Sequence, residues 1–388
     1  NLTIRAADTA TIDATAVGAS LSASIGAANA TVAPSIGVSL ASNTISRNTK
    51  AELANFATAL PSGNASVTSS NSGTINSKSI AAAISAAVGS GFSLGLSGGG
   101  ANSFNVITGN NQALVTNANL GSASTPWSGT IDVTASDTSS ITAKVDTISA
   151  AGAGGGNGGA AAIGVAIARN FIGETQGNSG LSGGDPQGFT NATSSKGNLV
   201  RAAVTDSNLY AKGAVTVKAT NASTLSTTVD SFAAALSVTG GASAALVGAG
   251  SEATNRSLMQ IQAFLGGSSG KTITLDTGSL TVNTSDTSST DTTAWGAAVG
   301  ASFGGGLSGA AAIGVSLARN TINNTTATTV QNVASGSKAA ALTVSNTKAK
   351  ASGRSASLSA KSAAVAVALS GGASGGSLAG GGADARCV

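Results

Sequence analysis

The sequence predicts an all-β fold, an elongated β-solenoid (β-helix-like) built from stacked repeats of 62–85 residues. Three observations point there. The ten-residue pattern Ile-Gly-Val-x-Leu/Ile-Ala-x-Asn-x-Ile occurs at 36–45, 163–172 and 313–322, with looser copies ending at Asn105 and Asn255. A short alternating strand closed by Asp or Asn precedes each copy. The composition holds 53 glycines, 3% aromatic and only 9% charged residues, which suits close packing of small side chains better than an ordinary globular core.

The marker asparagines are Asn43, Asn105, Asn170, Asn255 and Asn320, at intervals of 62, 65, 85 and 65 residues. The strands before them begin at Leu2, Ala65, Ile131, Val215 and Leu280, and end at Asp8, Asn71, Asp137, Asn221 and Asp286. Their period of two is the signature of a strand. From that Asp or Asn to the marker the count is 35, 34, 33, 34 and 34, whereas the return leg varies through 28, 32, 51 and 31. A constant length fits a stacked scaffold, and a drifting one fits loops. The units expected are 1–64, 65–129, 130–213 with an insertion at 173–198, 214–278, 279–340 and a partial 341–388. Each marker Asn either bonds its equivalent in the next coil or takes a tight-turn backbone conformation. Tandem β-sandwich-like repeats are the alternative architecture.

Gly98-Gly99-Gly100, Gly154-Gly155-Gly156 and Gly304-Gly305-Gly306 supply turn signals. Ala297 to Ala318 carries no charge over 22 residues, long enough for a membrane helix. Its glycine cluster and its register with the strand pattern favour two strands joined by a turn, so no membrane span is expected.

The chain contains no histidine and one cysteine, Cys387. That removes imidazole-based catalysis and a normal zinc shell. The acidic pairs Asp8/Asp13 and Asp286/Asp291 are five apart, and a period of two does not place them on one face. No catalytic residue and no cofactor is expected. Calcium is the one ion left open, where Asp137 or Asp286 sits among Ser and Thr, although no calcium-loop motif is present. The 19 Lys and Arg are scattered, with net charge +4, so no nucleic-acid partner is expected. Large and charged side chains collect on the return legs 50–56, 112–127, 171–201 and 257–272. Trp127 on one of them is a candidate contact surface, or else packs a turn.

Ile-Gly-Val-Ser-Leu-Ala-Arg-Asn-Thr-Ile (313–322), paired with Leu-Thr-Val-Asn-Thr-Ser-Asp-Thr (280–287), resembles giant repetitive bacterial adhesins. These are haemagglutinin-like or autotransporter-passenger-like surface and secreted proteins with Gly/Ala/Val-rich β-repeats. The resemblance implies an extracellular or cell-surface location and a non-enzymatic stalk or fibre segment. It implies self-association or a longer parent chain, with a carbohydrate or host receptor bound through inserted loops as the alternative. A polysaccharide-cleaving β-helix is a third reading. The chain departs from the pattern at its end, where Cys387 takes the asparagine's place.

Overall fold

Alternating side chains and the glycine turns produce strands throughout. The computed structural model describes residues 1–27, 29–58, 63–173, 197–268, 273–335, 342–347 and 358–388. Every regular element among them is a strand, and the ladders are parallel. The fourth unit gives the path. Ala214–Asn221 leads into a long outward leg, Thr224–Thr239. A tight turn returns the chain along Ser243–Ser257, and the short strands Met259–Gly266 and Ile273–Asp276 complete the circuit. Each strand pairs with its equivalents in neighbouring units, giving four sheets of six, ten, five and five strands.

The ten-stranded sheet holds both long legs. In the second and third units the two legs form single strands, Thr74–Thr108 and Ser140–Ile172, which bend at the tip and join the layers. The sheet thus folds back on itself and nearly closes. Ala297 to Ala318, with its uncharged run, is two strands of this sheet meeting at Gly305 and Gly306. No helix among the described residues is long and apolar enough to cross a membrane.

Two interiors result. The three smaller sheets and the roots of the legs enclose a core of branched aliphatics, including Ile75, Val133, Ile141, Ile261, Leu265 and Val282. Between the two legs the interior is mainly alanine, serine and glycine, for example Ala83, Ala153, Ala162, Ala245 and Ser97, with a few valines and threonines such as Val145, Val229 and Thr147. Glycine is required there by proximity: a Cβ on Gly18 would lie 1.9 Å from the Val38 carbonyl oxygen, and one on Gly95 would lie 2.2 Å from that of Gly152. Only a residue without a side chain lets the backbones approach so closely.

The structure corrects several expectations. Six stacked parallel strands occupy roughly 29 Å, whereas one sixteen-residue leg extends roughly 53 Å. The stacking direction is therefore the short one, and the body is compact rather than an elongated β-solenoid. It is not a simple stack of tandem repeats either, because its sheets differ in size and the largest nearly closes on itself. Tandem β-sandwiches fail because ladders join successive units, leaving no unit a sheet of its own. The resemblance to repetitive adhesins falls with the elongated shape, and so does the stalk or fibre function drawn from it. The non-enzymatic expectation is withdrawn as well: a parallel sheet that nearly closes on itself is an architecture that carries catalytic sites, so the fold gives no ground for excluding one.

Candidate interaction surface

The marker asparagines occupy one rank, Asn43↔Asn105↔Asn170↔Asn255↔Asn320, followed by Cys387. They are buried inside the returning leg, in strands rather than turns. Asn43 Nδ2 donates to Asn105 Oδ1 at 2.8 Å, Asn105 to Asn170 at 2.7 Å and Asn170 to Asn255 at 3.0 Å. Asn255 then turns to the Asp291 carbonyl at 2.8 Å. The left-handed conformation falls on other residues: Asn55, Asn117, Asp206 and Asn332 all have φ near +50°, at the corner between the two five-stranded sheets. Asn and Asp accept that conformation more readily than other residues with a side chain.

The strand-closing positions form a second rank that alternates: Asp8, Asn71, Asp137, Asn221, Asp286. Carboxylates on every second rung stand roughly 9.6 Å apart, twice the strand spacing, with an amide between them. Asn221 Nδ2 donates to Asp286 Oδ1 at 2.9 Å, and Asn324 Nδ2 donates to its other oxygen at 2.9 Å. Asp137 instead meets the buried Arg47, whose Nη2 lies 3.7 Å away while Nη1 lies 3.4 Å from Asp8. Gly73 leaves the room for that guanidinium. Both calcium candidates thus direct oxygens at N–H donors. No group of three or more Cys, Asp or Glu suited to a metal occurs among the described residues.

Trp127 lies within the aliphatic core at 3% exposure, bridged to Ala211. Its Nε1 has no hydrogen-bond partner among the described residues. The exposed tryptophan is Trp295, on the outward leg. Most of the insertion expected at 173–198 lies outside the described residues.

The outer faces of the two legs carry the large apolar side chains. On the returning leg, four successive outward ranks run from Val32 through Pro34 and Ile36 to Val38 and across all six units. Their occupants are Val, Pro, Leu, Ile, Ala and Gly, with no polar side chain among them. Ile36, Ile163 and Ile313 are 73%, 59% and 55% exposed. Toward the root the face ends in polar groups, where Arg169 Nε and Nη2 donate to the two carboxylate oxygens of Glu252 at 3.1 and 2.9 Å.

On the outward leg Leu21, Ile84, Phe232, Leu236, Val238 and Phe303 are exposed. A shallow apolar depression of about 380 Å³ lies among Ile84, Leu236 and Val299, floored by Ala150, Gly152 and Ala234. This face also bears charge: Asp146 and Asp230 are adjacent in register, and Trp295 follows Asp230. Lys144 Nζ lies 3.5 Å from Asp146. Burial and then the neighbouring Asp146 carboxylate push the Asp230 carboxyl above its ordinary value, and Lys144 opposes the shift.

Soluble monomers rarely expose contiguous apolar areas beyond a few hundred Å², which singles out this surface as the candidate. The sequence contained these residues but pointed to the return legs, because the outer-face residues lie inside the repeat motif itself. No protein-family model, curated protein or solved structure matches the chain.

Proposed function

We propose that the chain is an association module whose apolar outer faces pack against further copies. The observation that carries this reading is the returning leg's outer face, six units wide without a polar side chain over four ranks. Hydrophobic area of that extent gains free energy when it leaves water, at roughly 25 cal/mol per Å². Sedimentation velocity over a concentration series tests it: a concentration-dependent oligomer is expected, and a strictly monomeric species at every concentration would refute it.

A second reading is favoured by one observation on the other face. Trp295 stands in register beside Asp230 and Asp146, and an exposed aromatic ring next to carboxylates is chemistry that binds a sugar ring and its hydroxyls. Glycan-array binding that disappears in Trp295→Ala would support a carbohydrate partner on the outward leg. Equal binding by the variant would dismiss it.

A further inference from the structure

We infer that the outer face of the returning leg is the interface of a two-fold dimer, with Ile and Val ridges of one copy seated in glycine furrows of the other. This rests on the association reading and specifies its surface and geometry.

The ranks on this face alternate by unit. One reads Ile36, Gly98, Ile163, Gly248, Ile313, Gly380 and the next reads Val38, Gly100, Val165, Gly250, Val315, Gly382. Odd units therefore raise a ridge and even units leave a furrow, with a pitch of roughly 9.6 Å, twice the strand spacing.

These glycines differ from those between the legs. A Cβ on Gly100, Gly250, Gly380 or Gly382 would meet nothing within 4 Å, and one on Gly98 or Gly248 would only touch the neighbouring isoleucine at 3.9 or 4.0 Å. The chain's own packing does not require them. Glycine weakens a strand interior and marks places where another backbone or ligand comes close. A fluid lipid surface would need no such relief, since any apolar side chain serves it equally. A surface of ridges and furrows at one pitch is complementary to itself.

A two-fold axis running along the strands between the third and fourth units reverses the order of units and keeps each rank opposite itself. Unit 1 then faces unit 6, 2 faces 5 and 3 faces 4, so every ridge unit meets a furrow unit. Ile36 would meet Gly380 of the second copy, Ile163 would meet Gly248 and Ile313 would meet Gly98. The valine rank mates in the same way. The neighbouring rank follows in part, with Leu246 opposite Ala161 and Leu96 opposite Ala311, whereas Pro34 meets Leu378. Such an isologous contact closes on itself and ends at two copies. The four ranks cover roughly 29 Å by 23 Å, so about 1,300 Å² would be buried over both copies, within the range of stable interfaces. The Arg169–Glu252 pair supplies a polar rim.

The test compares sedimentation of the full chain with two variants. In Gly100→Val/Gly250→Val the furrows are filled, so circular dichroism and thermal midpoint should be retained while the dimer weakens on the order of 100-fold. Ile163→Ser/Val165→Ser removes ridges without adding bulk and should also give a monomer, which covers a failure of the first variant to fold. A third variant, Leu236→Ser/Phe303→Ser, alters only the outward leg. If it alone abolishes the dimer, the proposed face is wrong while the association reading stands. If the wild-type chain stays monomeric, both fail. A wild-type monomer that floats with phosphatidylcholine vesicles would assign this face to lipid and overturn the proposal.

Discussion

The aliphatic core and the paired long legs invert one another. In the core, Ile261, Leu265 and Val282 point inward and polar residues point out. Between the legs, alanine, serine and glycine point inward while Ile163, Val165 and Leu246 point out. The first arrangement is complete within one chain. The second uses its interior for close backbone approach and leaves its large apolar side chains on the outside.

Substitutions probe that inversion directly. Ile261→Ala should cost about 2–5 kcal/mol of stability by opening a core cavity, measured by urea denaturation. Ile163→Ala should cost no more than about 0.5 kcal/mol in the monomer, and equal losses at both sites would break the comparison. Asn170→Ala should cost about 2–4 kcal/mol, because Asn105 Nδ2 and Asn255 Oδ1 each lose a buried partner. A loss of only a few tenths would mean that the amide rank positions nothing.

The two classes of glycine sharpen the contrast. Gly95→Ala should destabilise by about 1–3 kcal/mol through overpacking between the legs. Gly250→Ala should instead be neutral or stabilise by up to about 1 kcal/mol, since a strand interior prefers alanine to glycine. Thermal midpoints of the two variants moving in the same direction would contradict the distinction.

The smallest effect expected is electrostatic. Folded Asp230 holds its proton more tightly than the unfolded chain does. Stability therefore falls as pH rises from the unfolded carboxylate value, near 3.9, through the raised folded one, and remains lower above it. Asp230→Asn should flatten that slope and raise neutral-pH stability by less than about 1 kcal/mol, since the site is partly solvated. An unchanged pH profile of the urea midpoint would show that neither burial nor the like charge of Asp146 perturbs Asp230.

Much of the backbone was legible, because a period of two and a constant spacing survive without side-chain detail. Asn43 and Asn105 could be aligned from sequence alone. The orientation of the legs could not: in Ile-Gly-Val-Ser-Leu, hydrophobicity alone would bury Ile36 and Val38, yet Gly37 and Ser39 are inside because the opposing backbone lies so close. The overall shape is not legible in the repeats, because a repeat count gives no strand length. The role of Arg47 is not legible in the sequence, because Asp8 and Asp137 are remote in the chain and meet only through stacking.

Alternation between odd and even units gives the array a parity. Removing the second or fourth unit would set two carboxylates of the Asp/Asn rank on adjacent rungs and isoleucine beside isoleucine on the outer face, whereas removing the third would set amide beside amide and glycine beside glycine. Viable changes in length should therefore come in pairs of units, which makes the pair, not the single turn of chain, the module that can be gained or lost.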